Sequence, residues 1–298
     1  MPFVDGPVTV EVPATSANLG PGYDCLGLAL ELHDRLSAEV APSGVKIQVT
    51  GEGAEDVPID ETHLVVRSMR AAFEVLGEQP AGLRLRCANR VPHSRGLGSS
   101  SAAIVGGIVL ARALVQGGEE RLDDTAALDI ANRLEGHPDN VAPALLGGFV
   151  VSGHDGNTVW AQRAPVDPSI DAVVFVPPYG VRTEVARGVL PSAVPHADAT
   201  ANTGRAALLV AALASAPEHL WRATEDFLHQ GYRQAAIPES IELVSALRDA
   251  GVPAVVSGAG PTVLAFLVGG ADPASGLAPA GWRTLHQVVG GPGARVLI

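Results

Sequence analysis

A run of glycine and serine residues in the first half of the chain carries its clearest chemical signal. Residues 92–98 read Pro-His-Ser-Arg-Gly-Leu-Gly, and they lead through three serines into a continuous apolar stretch. Gly96 and Gly98 allow positive φ and the close approach of a ligand, and the N–H groups that open a helix carry partial positive charge. This combination predicts a loop that binds the phosphates of a nucleoside triphosphate.

The loop differs from the Walker type because no lysine follows Gly98. The phosphates must therefore be held by amides, serines and a metal ion. Residues 102–111 are apolar on every side, which predicts a buried helix behind the loop. Gly106 and Gly107 each cost this helix about 1 kcal/mol relative to alanine, and they indicate that another backbone lies close to it.

Composition limits the classes of protein to consider. The chain has 298 residues, enough for two domains, and a formal net charge of −12, which argues against binding to nucleic acid. Cys25 and Cys87 are too few for a disulfide framework or a zinc site. The chain begins without the basic and apolar segments of a signal peptide, and its longest apolar run is shorter than the roughly 20 residues of a membrane span. These features predict a soluble, cytoplasmic protein.

Periodicity predicts alternating strands and helices. In the first half, strands are expected at residues 8–12, 36–40, 45–50 and 83–87, helices at 63–76, 99–115 and 124–134, and a hairpin at 147–152 and 158–162. The strands at 36–40 and 45–50 are expected to pair through the turn at 42–44. In the second half, strands are expected at 171–176, 253–257, 262–268 and 294–298, with helices at 183–190, 197–214, 217–229, 239–250 and 282–289.

Three segments resemble the motifs of the GHMP kinase superfamily. Residues 92–102 match its phosphate-binding motif position by position: Pro, three variable residues, Gly-Leu-Gly-Ser-Ser, a small residue and Ala. Residues 12–27 are similar to the first motif and residues 257–262 to the third. The resemblance implies an α+β fold with an S5-like ATP-binding domain over residues 1–163 and a ferredoxin-like domain over residues 164–298.

The substrate-side segments are similar to those of the superfamily branch that phosphorylates L-homoserine. Residues 135–143, followed by 147–149, and residues 183–187, followed by 190–191, carry this similarity. It implies transfer of the ATP γ-phosphoryl group to the side-chain hydroxyl of L-homoserine on the route to threonine. The implied ligands are ATP, Mg²⁺ and L-homoserine, and the family suggests a homodimer, with no nucleic-acid or membrane partner.

The phosphoryl donor site is predicted around the glycine-rich loop. The residues expected to bind ATP are Pro92, His93, Ser94, Arg95, Gly96, Leu97, Gly98, Ser99, Ser100, Ser101 and Ala102. Mg²⁺ prefers a few hard oxygens together with phosphates and water, so Ser100 and Glu135 are expected to bind it. Asp129, on the same predicted helix as Glu135, is the alternative carboxylate. The adenine pocket is poorly marked; residues 57–58 and 89–93 are candidates.

A small zwitterionic acceptor requires groups of both charges. Arg187 and Arg233 fit a carboxylate clamp, since arginine can grip a carboxylate with two parallel donors. The resemblance assigns Asn18, Asp24 and Asn140 to the remaining polar contacts. Four of these residues also have a simpler interpretation. Arg187 or Arg233 could form a surface salt bridge, Asp24 could cap a turn, and Asn140 could cap a helix over residues 141–145.

Thr183, His137 and Asp139 are the candidate catalytic residues, as polar neighbours of the reacting groups. Asp139 is the position from which a base would act, but a loose transition state releases the hydroxyl proton late, so positioning can suffice. Two other functions remain open: a GHMP kinase for mevalonate or a sugar-like alcohol, and a catalytically inactive nucleotide-binding regulator.

Overall fold

The computed structural model describes residues 2–297 as two β-sheets with helices packed against them. The strands are β1 Val8–Ala17, β2 Leu26–Ala41, β3 Gly44–Gly51, β4 Gly82–Asn89, β5 Phe149–Asp155, β6 Thr158–Ala164, β7 Ile170–Val176, β8 Ala254–Val256, β9 Val263–Val268, β10 Arg283–Val288 and β11 Arg295–Leu297. The helices are α1 Leu64–Leu76, α2 Ser99–Leu114, α3 Gly118–Arg121, α4 Asp124–Glu135, α5 Pro138–Leu146, α6 Thr183–Gly188, α7 His196–Ser215, α8 Leu220–Ala223 and α9 Pro238–Asp249. Within this described range, no helix is both long and apolar enough to cross a bilayer. The α+β expectation is confirmed.

The first sheet has seven strands, and its order corrects one predicted pairing. The order is β11-β1-β2-β4-β3, with β5 added to β2 and β6 to β5. The predicted pairing between residues 36–40 and 45–50 was wrong, because β4 lies between β2 and β3 and pairs in parallel with β3. The β4 side chains at 83, 85 and 87 are buried, whereas β3 is largely exposed. Burial therefore favours β4 in the interior position and β3 at the edge.

Helices α1, α2, α4 and α5 pack together on this sheet, and α2 lies at their centre. Eleven of its residues are buried, so the predicted buried helix is confirmed. A Cβ placed at Gly107 would lie 2.6 Å from the carbonyl oxygen of Val65 on α1. The expected close approach of a second backbone is therefore present, and the helix behind the glycine-rich loop is held firmly on both sides.

The second sheet has four strands in the order β10-β7-β9-β8. Two helix predictions in this half were wrong. Residues 283–288 form β10, which pairs with β7 along its length. The helix predicted over 217–229 ends at Ala223, and the Asp226 carboxylate then accepts hydrogen bonds from the N–H groups of residues 228–230, which turn the chain.

The two sheets share a hydrophobic core. One cluster of buried side chains joins Leu28 and Phe149 of the first sheet to Val174 and Phe266 of the second. The chain also returns to the first sheet at its far end, where β11 pairs with β1. The expected division between residues 163 and 164 falls at the last residue of β6, and the pairing of β11 with β1 crosses it, so the independence of the two units stays a prediction.

Candidate active site

The glycine-rich loop lies at the start of α2, where helix geometry leaves the first N–H groups without intrahelical acceptors. Gly98 is the N-cap with a φ of 68°, and Gly96 has a φ of 74°. A Cβ at Gly98 would collide with the Thr15 side chain, and one at Gly96 with the Ser257 carbonyl. Glycine is thus required at both positions by backbone conformation and by close packing.

Most of the predicted site residues line one cavity of about 450 Å³. Its wall includes Asn18, Ser94, Gly96, Gly98, Ser99, Ser100, Glu135, His137, Asp139, Asn140, Thr183, Arg187 and Arg233. Six residues of the predicted ATP loop do not line it: Pro92, Leu97, Ser101 and Ala102 are buried, and His93 and Arg95 are half-buried. Leu64 and Ile104 line the cavity without having been predicted, and neither belongs to the residues proposed from the sequence for the adenine pocket.

The candidate metal-binding residues are in direct contact. The hydroxyl groups of Ser100 and Ser101 donate hydrogen bonds to the same oxygen of Glu135, over 2.7 and 2.8 Å. Asp129 lies one to two turns earlier on α4 and is not part of the cavity wall. A carboxylate and a hydroxyl at the helix start supply the hard oxygens that Mg²⁺ prefers. The geometry favours Glu135 over Asp129.

His137 and Asp139 form a pair where α4 passes into α5. The His137 Nδ1 atom lies 2.6 Å from a carboxylate oxygen of Asp139, whose side chain is 1% exposed. Burial would lower the pKa of His137, but the hydrogen bond and the negative charges of Asp139 and Glu135 outweigh it, so the pKa is raised. Ligand atoms of Asp24, His137 and Asp139 lie within 4.8 Å of one another, an arrangement suited to a cation or an ammonium group.

Asn140, which lines the cavity, is oriented by a hydrogen bond from a buried side chain of β1. Its Oδ1 atom accepts a hydrogen bond of 2.8 Å from the Thr15 hydroxyl, which leaves the amide N–H groups for the cavity. The interpretation of Asn140 as a helix cap was wrong, because α5 begins at Pro138 with His137 as its N-cap. Asn140 therefore lies inside the first turn of α5.

The acceptor side of the cavity is dominated by an ion pair between Asp24 and Arg187. The guanidinium contacts both carboxylate oxygens, at 2.6 and 3.1 Å, and also donates to the Tyr23 hydroxyl. The hydrogen bond to Asp24 raises the pKa of Arg187, while burial and the charge of Asp24 raise the pKa of Tyr23. Tyr23 was not predicted as a site residue, although it adjoins Asp24 within the first motif.

Arg233 lies beside this pair without a carboxylate partner of its own. Its side chain is 1% exposed, Nη1 donates to the Gly258 carbonyl over 3.2 Å, and Nε has no hydrogen-bond acceptor. No ion pair involving Arg233 occurs among residues 2–297. Burial lowers the pKa of Arg233. Since a buried charge without a partner is costly, this guanidinium marks where an anionic ligand would be stabilised.

The turn that carries Asn18 and Asp24 is held mainly by the second half of the chain. This acceptor loop, residues 18–25, places Asn18, Leu19 and Asp24 at positive φ. The Asn18 amide accepts from the Asp24 N–H and donates to the Gly258 carbonyl.

Two buried residues outside the motifs support the same loop from behind. Asn202 donates to the Pro21 carbonyl over 2.7 Å, and His229 Nε2 lies 2.8 Å from the Gly20 carbonyl. Burial lowers the pKa of His229, which keeps the ring neutral with Nε2 as the donor. Neither residue was predicted, because their partners lie more than 180 positions away in sequence.

The chain is similar to known proteins over nearly its whole length. Residues 63–148 match the family model described as the GHMP kinases N terminal domain. The homoserine kinases of Streptomyces avermitilis and Streptomyces coelicolor are each 57% identical over 291 residues, covering 97% of the chain and 95% and 94% of those proteins. The crystal structure of homoserine kinase from Cytophaga hutchinsonii superimposes with a TM-score of 0.82 at 26% identity, covering 98% of this chain and 97% of that one.

The fold and the loop at the start of α2 define a GHMP kinase, a small-molecule kinase that takes its phosphoryl group from ATP. Within this class, the two Streptomyces homoserine kinases match the chain over almost its whole length. The chain belongs to the homoserine kinase family.

Proposed function

We propose that the chain transfers the γ-phosphoryl group of ATP to the side-chain hydroxyl of L-homoserine, giving ADP and O-phospho-L-homoserine in threonine biosynthesis. The choice of acceptor rests mainly on Arg233. Its guanidinium is buried, has no carboxylate partner, and lies in the wall of the same cavity as the phosphate loop. A small amino acid with a free carboxylate would supply the missing charge. Mevalonate also has a carboxylate but lacks an ammonium group for the acidic side of the cavity.

The donor half of the reaction depends on charge neutralisation. Amides of residues 96–101 and the start of α2 would hold the triphosphate, as the partial positive charge of a helix N-terminus allows. Ser100 and Glu135 would hold Mg²⁺, and their contact over 2.7 Å supports this assignment. When bound, Mg²⁺ supplies charge stabilisation for the phosphoryl group during transfer.

The acceptor half depends on orientation. Arg233 and Arg187 would bind the homoserine carboxylate, and the acidic group of Asp24 and Asp139 would bind its ammonium. Asn18 shapes the acceptor loop. The Asn140 amide, oriented by Thr15, can donate to the acceptor hydroxyl and so direct its lone pair toward the γ-phosphorus.

We propose positioning rather than strong base catalysis for the hydroxyl. Asp139 is already hydrogen bonded to His137, and the raised pKa of His137 favours its protonated form, which cannot accept a proton. Thr183 lies at the start of α6 and lines the same cavity. These three residues would surround the reacting groups without abstracting the proton, which a loose transition state permits the hydroxyl to lose late.

A cytoplasmic location is part of the proposal, since ATP and amino-acid intermediates are available there. Both cysteines are free, and burial raises the pKa of Cys25 to about 11 and that of Cys87 to about 12, so both remain thiols.

The test is a coupled assay of ADP release with L-homoserine, mevalonate or galactose as the added alcohol. We expect release that depends on ATP, Mg²⁺ and L-homoserine, with the phosphate monoester detected by ³¹P NMR. ADP release with mevalonate or galactose but not with homoserine would identify a different GHMP kinase. Nucleotide binding without turnover on any alcohol would instead indicate a regulator.

A further inference from the structure

Arg95 belongs to the phosphate loop, but its side chain is used for a different contact. The guanidinium donates three hydrogen bonds to backbone carbonyls: Nη1 to His93 over 2.7 Å, Nε to Pro177 over 3.2 Å and Nη2 to Pro178 over 2.8 Å. His93 lies in the loop itself, whereas Pro177 and Pro178 follow β7 in the second half of the chain. We call this set of contacts the Arg95 bridge.

The segment reached by the bridge leads directly into the acceptor side of the site. Residues 177–182 connect β7 to α6, which begins at Thr183 and carries Arg187. A second link lies beside the bridge, where the Val181 N–H donates to the Ser94 carbonyl over 2.9 Å. The contact is close, because a Cβ at Gly180 would lie 2.9 Å from the Ser94 carbonyl oxygen.

Helix α6 has little else to fix its position. It is six residues long, and Ala186 is its one buried residue. A helix this short is not stable through its own hydrogen bonds, so its position must come from its contacts. Besides the contacts of Arg187 with Asp24 and Tyr23, the position of α6 depends on the connecting segment, which is joined to the phosphate loop.

We propose that Arg95 is a positioning residue that couples nucleotide binding at the loop to acceptor binding by α6. The inference rests on the proposed function, because it assigns Arg187 to the acceptor carboxylate. A nucleotide that fixes residues 94–98 also fixes the carbonyls and the guanidinium of the bridge, and so orders the segment before Thr183. Homoserine then binds to a helix that no longer has to be ordered, which makes the two affinities depend on each other.

The experiment measures this dependence by calorimetry on the full chain. Homoserine is titrated into the protein with and without saturating ADP, which permits binding but no turnover, and the ratio of the two dissociation constants is the coupling factor. For the unaltered chain we expect a factor of about ten, within the usual range for coupled sites. In Arg95→Ala the factor should approach one, while the affinity for ADP alone changes by less than about twofold.

Two further variants separate coupling from a general loss of structure. Gly180→Ala should also lower the coupling factor, since its methyl group forces the connecting segment away from Ser94. Gly180 is exposed, so the substitution leaves the core packing intact. Arg84→Ala removes a surface arginine paired with Glu39 and should leave the factor unchanged. In kinetics, both bridge variants should raise the KM for homoserine at saturating ATP about tenfold, and the KM for ATP at saturating homoserine should rise by a similar factor, because the coupling is reciprocal.

The outcomes distinguish this inference from the proposed function. Two results would overturn the coupling role of the Arg95 bridge while homoserine-dependent ADP release continues. One is a coupling factor near one in the unaltered chain, and the other is an unchanged factor in both Arg95→Ala and Gly180→Ala. Absence of that release in the unaltered chain overturns the proposed function and the bridge with it. If Arg95→Ala fails to fold, Gly180→Ala alone tests the coupling role: a lowered coupling factor supports it and an unchanged factor overturns it.

Discussion

At the scale of single residues, the two arginines predicted to share one role are held in different ways. Arg187 has a bidentate partner in Asp24, and its side chain is 34% exposed. Arg233 is buried and has one hydrogen bond, to a carbonyl. Removing Arg187 therefore leaves an unpaired carboxylate behind, whereas removing Arg233 leaves none. Arg233 is the cleaner position at which to test carboxylate binding.

Arg233→Met should separate activity from stability. A hydrogen bond to a charged group contributes about 1.5–3 kcal/mol, so kcat/KM for homoserine should fall by roughly 10- to 150-fold. Replacing a buried charge that lacks an ion-pair partner by an apolar side chain should raise the thermal midpoint by about 2–4 °C. Steady-state kinetics and calorimetry measure the two effects. A normal kcat/KM in the folded variant would remove the main reason for choosing an amino-acid substrate.

Glu135→Gln should lower kcat about 100-fold with little change in the KM for homoserine, because the carboxylate is proposed to act during phosphoryl transfer. Asp129→Asn, on the same helix but outside the cavity, is the matched control and should retain full turnover. The reverse result would move the metal site to Asp129.

The sequence predicts most of the cavity wall because the residues concerned lie in short motifs. It does not predict what holds those motifs in place. Asn202 and His229 are buried side chains that bond to carbonyls of the acceptor loop, far away along the chain. A buried amide or imidazole of this kind has no characteristic local spacing, so only the folded structure identifies its partner.

At the scale of elements, β2 supports the entry to the phosphate loop through Asp34. One oxygen of this carboxylate accepts hydrogen bonds from the N–H groups of Arg90 and Val91, where β4 has ended and the loop begins. The side chain is 4% exposed. Burial raises the pKa of Asp34 to about 6, although the two backbone N–H groups act to lower it.

The raised pKa of Asp34 should lower the free energy of unfolding as the pH rises from about 4 to 6. In this window the native carboxyl keeps a proton that the unfolded chain, with its ordinary pKa near 3.8, has released. Asp34→Asn keeps the acceptor oxygen and removes the titration. The variant should therefore gain stability relative to the unaltered chain between pH 4 and 7, by at most about 3 kcal/mol.

Urea unfolding at several pH values measures this difference. The same substitution at the exposed hairpin residue Asp155 is the control for the removal of one carboxylate. Parallel stability curves for Asp34→Asn and the unaltered chain would contradict the assignment.

Errors in the predicted elements have a common physical origin. The turn predicted at residues 42–44 is present, because turns depend on local sequence. Which strand pairs with β3 depends instead on where the buried side chains of β4 fit. Residues 283–288 likewise form a strand because β7 offers a free edge to pair with. Long helices such as α2 and α7 were predicted well because their hydrogen bonds are local.

At the scale of the whole molecule, the shared core and the β11–β1 pairing should prevent the first half from folding alone. A fragment of residues 1–163 would lack β11 and would expose Leu28 and Phe149, which pack against the second sheet. We expect it to show no cooperative thermal transition by circular dichroism, unlike the full chain. A sharp transition in the fragment would confirm that residues 1–163 form an independent domain.

The pairing of β11 with β1 also has a consequence for synthesis on the ribosome. Glu11 and Arg295, joined by an ion pair across this edge, are separated by 284 positions. At about 5–20 residues per second, roughly 15–60 s pass between the emergence of one strand and that of the other. During this interval one edge of β1 has no partner, and unpaired strand edges readily join other chains. The speed of translation then determines how long the nascent protein is exposed to aggregation.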